Sequence, residues 1–406
     1  MVDFRNLPLY LFSKVVLNAD VEDEGETLIN YHHNISEGPM WAVRLLPWSQ
    51  NQENFINKTK LEPSKYEEEL PFLCHLLLSI HHTIIDGYST HQLIKMMLDL
   101  FQEVLEGKVL VDDGRQESEF LDSKFEDELV SEIEHDFKVG RRSLESRSKS
   151  YRGVMAECIL PEGYELPVNE KLRIATISGN LDRHTTQLFS QRCKREGITF
   201  HSGFSAACDA AYVQLLKDGN VLRDSYKITT NHCINHRRYF KDDGKKQFGN
   251  GIGVIDTVID TPNDVLKRFW SYAKVLHLTI KDQQNLKTSL EQGIIEKLTG
   301  ETVFYCFNDD TVDFDVLPAM MTYKTSNMMD VTQTFCEPVR DKIRLEWYER
   351  RSSPKLIPML WKSALQTLKG QLMHSLQYNS KFLHREVAQQ LLDSVFDIIS
   401  KVSKHP

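Results

Sequence analysis

The chain reads as a mixed α/β protein built in two units. Its 406 residues exceed what one ordinary hydrophobic core organises. Short apolar runs alternate with segments of helical spacing along most of its length, the pattern of interleaved strands and helices. One junction between such a run and such a helix carries two adjacent histidines and an Asp-Gly pair, in the stretch HHTIIDG from His81 to Gly87.

Gly38 to Trp48 alternates as a strand does, and Leu73 to Ile80 is a short apolar run, a buried strand leading to the histidines. Over 89–106, Leu93, Met97, Leu100, Phe101, Val104 and Leu105 recur on one helical face. Ser89 with Gln92 fits a capping box there, and Gly107 fits a C-terminal stop. Glu126 to Phe137 is an amphipathic helix in a charge-dense region. Gly140 to Gly153, GRRSLESRSKSYRG, is basic and serine-rich and reads as a linker or mobile surface loop.

The boundary falls at 165/166, giving an N-terminal lobe of 1–165 and a C-terminal lobe of 166–406. In the second lobe LRIATISGNL is a strand and Asp182 to Glu196 a helix. Another helix opens at Thr199, with Phe204, Ala207 and Ala211 among its inward positions and small neighbours that permit close packing. Tyr226 to Ile234 and Val254 to Ile259 read as strands. Phe269 to Thr279 reads as a helix, and Ser380 to Ser400 as a closing amphipathic helix.

Composition excludes several classes. A hydrophobic share of 41% and a charged share of 26% are those of an ordinary globular protein. The net charge of −9 disfavours nucleic acid, whose phosphates require Lys and Arg, and disfavours anionic lipid. No apolar run approaches the roughly 20 residues that span a bilayer. The longest, Phe72 to Ile80, is interrupted by His75 and Ser79. The N-terminal MVDFRNLPLYLF lacks the pattern of a signal peptide. Seven cysteines, an odd number with no CxxC, fit reduced thiols in the cytoplasm better than disulfides or a structural zinc site.

Neighbouring side chains on a strand face opposite ways. If the strand runs on through His81 and His82, one imidazole packs inward and the other projects into a cleft. With a pKa of about 6.5, such a ring can take a proton from an alcohol, amine or thiol as a new bond forms. Asp86 can cap the following helix or form an ion pair that fixes the loop, and Gly87 gives the turn its backbone freedom. A metal set of His81, His82, Asp86 and His91 is disfavoured, because adjacent strand histidines make poor co-ligands. His232 and His236 have the i, i+4 spacing of a helical metal pair but sit in a strand and turn. There is no GxSxG elbow, P-loop or HExxH. GNGIG, Gly249 to Gly253, lacks the final spacing and the preceding strand of a dinucleotide loop.

HHTIIDG resembles the active-site motif of the CoA-dependent acyltransferase superfamily, which includes chloramphenicol acetyltransferase, alcohol acetyltransferases and the condensation domains of nonribosomal peptide synthesis. Four further segments resemble that family in order and rough spacing. They are GITFHSGFSAACDAAY (Gly197 to Tyr212), TTNHCINHRRYF (Thr229 to Phe240), FGNG (Phe248 to Gly251) and KTSNMMDV (Lys324 to Val331). The family's late DFGWG segment is absent, and the lead-in to the histidines is shorter than in relatives by about one strand and one helix.

The resemblance implies two chloramphenicol-acetyltransferase-like lobes in a V-shaped pseudo-dimer with a tunnel between them. It implies an acyltransferase, an alcohol acetyltransferase-like enzyme above all, that moves an acyl group from acyl-CoA, its co-substrate, to an alcohol or amine without a bound cofactor or metal. His82 is the implied general base, with His81 and Gly87 supporting the motif. Asp86 is structural, with Arg44, Arg237 or Arg238 as candidate partners. Asn250, Ser326 and Asn327 lie near substrate, Ser326 as an oxyanion donor. The alternatives are a condensation-type enzyme using a carrier-protein thioester and an inactive relative that binds a ligand or partner. A soluble cytoplasmic monomer is expected.

Overall fold

The computed structural model describes residues 13–15, 20–47, 73–109, 124–152, 158–167, 170, 172–241, 247–300, 321–353 and 359–404. In chain order its elements begin with β1 (Ser13–Val15), α1 (Val21–Ile29), β2 (Trp41–Pro47), β3 (Cys74–Ile80) and α2 (Gly87–Leu105). Next come α3 (Lys124–Lys138), α4 (Leu144–Arg152), β4 (Ile174–Leu181), α5 (Arg183–Arg195), α6 (Phe200–Asp218), β5 (Ser225–Asn235) and β6 (Ile252–Pro262). The order closes with α7 (Phe269–Asn285), α8 (Thr288–Thr299), β7 (Met321–Asp330), α9 (Thr332–Cys336), β8 (Met359–Leu368), β9 (Gln371–Asn379) and α10 (Arg385–Lys404). The fold is mixed α/β, as the pattern predicts. Phe72, Trp48 and Cys306 lie outside the described residues.

Two compact units divide the chain. The first holds residues 1–120, 248–250 and 331–348, and the second holds 121–247, 251–330 and 349–406. This differs from the boundary at 165/166 for a packing reason. Ile133 of α3 is fully buried against Leu290 and Ile294 of α8. Arg142 and Arg147 both bind Glu291, which is 1% exposed, the second through Nε at 2.8 Å. The charge-rich stretch therefore belongs to the second unit. The same contacts explain why 144–152 is a helix where a loop was expected: tertiary ion pairs and packing override the weak helix preference of its serines.

In the first unit β1 pairs parallel with β2, and β2 pairs antiparallel with β3 in the register Trp41 to Ile80. α1 begins at Asp20, whose carboxylate accepts the Glu22 N–H at 2.7 Å and the Asp23 N–H at 3.2 Å. His91 of α2 is buried edge-on against Phe335 and Tyr348, at 5.2 and 5.5 Å between ring centres. Arg340 holds Asp99 through its Nε at 2.9 Å. Residues 331–348 thus return to cover α2.

The second unit is a six-stranded sheet in the order β4-β9-β8-β7-β5-β6, parallel at β8-β7 and β7-β5 and otherwise antiparallel. Lys369 and Gly370 join β8 to β9 with φ of 51° and 79°, two positive values that a twisted hairpin turn requires. α6 opens at Thr199, whose hydroxyl accepts the Ser202 N–H at 3.1 Å. Its Ala206, Ala207, Ala210 and Ala211 are buried, and the small side chains let it lie close against its neighbours. Tyr323 and Trp361 stack at 4.8 Å in this core.

Asp209 of α6 is buried there, accepting the Tyr272 hydroxyl at 2.7 Å and the Tyr323 hydroxyl at 2.9 Å. Burial raises its pKa to about 7, against the opposing pull of both hydroxyls. A carboxyl more readily protonated folded than unfolded favours the folded state most at low pH, and that contribution is lost as pH rises from about 4 to about 7. Asp209→Asn removes the titration. Its stability relative to wild type, from urea unfolding, should rise across that window by up to about 4 kcal/mol. A constant difference would show that Asp209 ionises as it does in water.

Candidate active site

β3 ends at Ile80, so the paired histidines lie beyond the strand rather than on it. Continuing the register would set His82 against Pro39, which has no N–H to give. The His81 N–H makes the last bond of the ladder, to the Met40 carbonyl at 2.8 Å. Residues 82–84 then turn, with the Ile84 N–H reaching the His81 carbonyl at 3.3 Å.

The turn separates the two rings. His81 is half-buried, and its Nδ1 lies 2.7 Å from the Thr83 hydroxyl and 3.3 Å from the Thr83 N–H. That N–H can only donate, so Nδ1 accepts and the neutral ring carries its proton on Nε2. The His33 ring stands edge-on at 6.1 Å, with Nε2 3.0 Å from the Ser79 hydroxyl. Burial above all, with the neighbouring His81, holds its pKa below the ordinary imidazole value. His82 is exposed.

Asp86 is 3% exposed and is the N-cap of α2, its Oδ1 accepting the Ser89 N–H at 2.9 Å. The capping box assigned to Ser89 is corrected by this bond: Ser89 lies three residues inside the helix, and Gly87 is its first residue. Gly107 follows the helix end with φ of 80°, the left-handed stop its sequence implies.

Ser89 has another task. Its hydroxyl donates to the Gly249 carbonyl at 2.8 Å and accepts the Gly249 N–H at 2.9 Å. Gly249 has φ of 148°, in a region that glycine occupies most easily. The next residue, Asn250, gives Nδ2 to the His82 carbonyl at 2.8 Å. FGNG and the histidine turn are therefore one local structure, clamped across 160 residues of sequence. Ser89→Ala removes both clamp bonds from a buried site and should cost about 1–3 kcal/mol in urea unfolding. An unchanged unfolding midpoint would show that the clamp carries no stability.

The structure brings His81, His82, Asp86, Gly87 and Asn250 together in the first unit. Ser326 and Asn327 lie on β7 of the second. Ser326 is buried, its Oγ accepting Arg350 Nη1 at 3.1 Å and its carbonyl accepting Arg350 Nη2 at 2.8 Å. Asn327 Oδ1 takes the Met329 N–H at 2.7 Å, and its Nδ2 is buried with no partner among the described residues. Of the arginines named for Asp86, Arg44 stands 4.0 Å from Glu24, and Arg237 gives Nε to the Gln247 carbonyl at 3.1 Å. Arg238 is exposed.

His232 and His236 are committed elsewhere. The His232 ring bonds His201 and Thr257, each at 3.0 Å, and His236 Nε2 bonds Ser289 at 3.1 Å. Among the described residues no group of three or more His, Cys, Asp or Glu is placed to hold a metal ion. The six described cysteines are free thiols, and no described helix is long and apolar enough to cross a membrane. Sequence reasoning missed Ser89 as the clamp and Thr83 as the partner of His81. The glycine at 249 was the available signal for the first.

No family model matches the sequence, and no curated protein does. Solved structures match at low identity. The condensation domain of the monacolin K polyketide synthase MokA is 12% identical over 97% of this chain and 80% of its own, with a TM-score of 0.59. The first condensation domain of the CDA synthetase is 11% identical over 97% and 75%, at 0.55. The PapA2 acyl transferase is 12% identical over 82% and 66%, at 0.52. The chain has the chloramphenicol-acetyltransferase-like fold that these condensation domains and this acyltransferase share.

Proposed function

We propose that the chain is an acyltransferase of the condensation-domain fold, with His82 as general base. The observation that carries this is the turn itself. An exposed imidazole is presented at the end of β3, between a ladder bond at His81 and a buried aspartate that caps α2.

In the proposed reaction the His82 ring takes the proton of an alcohol or amine as its oxygen or nitrogen attacks a thioester carbonyl. The carbon–sulfur bond then breaks, and His82 returns the proton to the departing thiolate. Asp86 acts on the backbone, by fixing where α2 begins. Asn250 holds the His82 carbonyl, which orients the turn. Asn250, Ser326 and Asn327 are the proposed substrate contacts, with acyl-CoA the proposed donor and an alcohol the favoured acceptor.

The test is product identification. The chain is incubated with acyl-CoAs, and separately with acyl thioesters of a carrier protein, together with mixed alcohols and amines. Mass spectrometry then reads the acylated acceptor. Ester from acyl-CoA is expected. Product only from the carrier thioester would replace the donor, and no product from either would make the chain a binding relative.

A further inference from the structure

One face of the second unit's sheet carries a surplus of positive charge. In register across neighbouring strands, Asn231 of β5 stands beside Lys324 of β7, Lys324 beside Lys362 of β8, and Lys362 beside Gln377 of β9. Two residues along, on the same face, lie Cys233 and Ser326, where Arg350 binds the Ser326 hydroxyl. Tyr323 and Trp361, one residue before the two lysines, belong to the opposite face and the core.

Lys362 is 7% exposed, and among the described residues its ammonium meets only the Ser352 hydroxyl. Among the described residues neither ammonium lies within ion-pair distance of a carboxylate, although the buried Asp256 carboxylate attracts Lys324. Like charges on directly opposed strand positions repel, and a buried ammonium without a counter-ion is costly. Burial accordingly pulls the Lys362 pKa down to about 7. Nearby carboxylates are engaged: Asp256 takes Asn231 Nδ2 at 2.7 Å, and Glu349 takes Arg351 and Ser178, each at 2.7 Å. Asn231 Oδ1 and Gln377 Oε1, in residues with no exposed surface, have no hydrogen-bond partner among the described residues. Burial pushes the Cys233 thiol up. Lys324 and Lys362, then the Ser326 hydroxyl and Arg350, bring it below its ordinary value. The face thus sets two lysines against the Asp256 carboxylate, and carries two acceptors with nothing to accept among the described residues.

We propose that this face binds a small anionic group, a carboxylate or a phosphate, received by Lys324, Lys362 and Arg350. Asn231 and Gln377 take hydroxyl or N–H donors of the same ligand. Arg350 also holds Ser326, a substrate contact proposed above, so the inference rests on the same surface. Binding nonetheless requires no acyl transfer and no contribution from His82, and its test is read separately from that reaction.

Cys233, partly exposed, reports on it. Its thiolate displaces iodide from iodoacetate or iodoacetamide, forming a sulfur–carbon bond as the carbon–iodine bond breaks. Peptide-resolved mass spectrometry gives the two rates, and their ratio is compared with that at the exposed Cys74. The ratio cancels the difference in thiolate content between the two cysteines. The anionic reagent should be favoured at Cys233 by roughly tenfold more than at Cys74, the order by which a charged cleft concentrates a counter-ion.

Lys362→Met and Lys324→Met should each bring the ratio towards that of Cys74. Lys324 is partly exposed, so its variant keeps the test open if Lys362→Met does not fold. Inorganic phosphate and acetate, at matched ionic strength, separate the two ligand chemistries: protection of Cys233 by one alone names it, and protection by both assigns a site for either. Equal ratios in the wild type, no labelling of Cys233, or protection no greater than by chloride would overturn the proposal.

Discussion

His82→Ala should lower acceptor-dependent acyl transfer by about 10²- to 10⁴-fold, the usual worth of a positioned general base. The fold should barely register the change. His82 is exposed, so truncation removes little buried surface, and a substitution at such a site stays within about 0.5 kcal/mol. The bond from Asn250 goes to the main-chain carbonyl at 82 and survives in the variant. Ser89 still clamps Gly249, and Asp86 still caps α2. The loss should therefore appear in the rate of thiol release, with an unfolding midpoint close to wild type. Full turnover in the variant would remove His82 from the reaction and leave the turn as a structural feature.

His374→Leu should make the protein markedly more resistant to acid. His374 of β9 is 1% exposed, edge-on to Phe204 at 5.0 Å and to Phe396 at 5.9 Å between ring centres. Neither ring nitrogen has a hydrogen-bond partner among the described residues. Burial lowers its pKa to about 3. The neutral ring is therefore the folded form at pH values where the unfolded chain, titrating near 6.5, takes up a proton. The sign follows: stability is undiminished above about 6.5 and falls as pH drops towards about 3. The advantage of His374→Leu over wild type should grow by about 2 kcal/mol between pH 7 and pH 5. Some advantage should already exist at pH 7, where two unbonded ring nitrogens give way to an apolar side chain. Buried His201 and His232 titrate in the same direction, and subtracting wild type from variant removes their share. An advantage independent of pH would mean that His374 charges in the folded protein.

Local signals account for what the sequence reveals of this fold. α5 and α6 have side-chain caps at Asp182 and Thr199, and α2 ends at a left-handed glycine. These depend on residues a few positions apart, and their helices fall close to the expected bounds. β8 and β9 have no such signal. Lys362, Ser363 and Gln366 are buried along β8, so it shows neither a clean apolar run nor alternation. α4 is poor in apolar residues and relies on Glu291, 144 positions from its Arg147.

The same division holds at the candidate site. The short motif brings His81, His82, Asp86 and Gly87 to one strand-to-helix junction, and this was legible. That the strand stops at Ile80 depends on Pro39 of the opposing segment. The pairing of Ser89 with Gly249 depends on a contact that no local pattern encodes. The resemblance places FGNG among five segments by order and rough spacing, and the hydrogen bonds of Gly249 and Asn250 join it to the histidine turn.

The most direct measurement is thiol release from an acyl thioester by the folded chain, with and without an alcohol or amine, in wild type beside His82→Ala. A general-base role for His82 predicts release that requires both the acceptor and the imidazole. Release undiminished in His82→Ala, or independent of any acceptor, would contradict it.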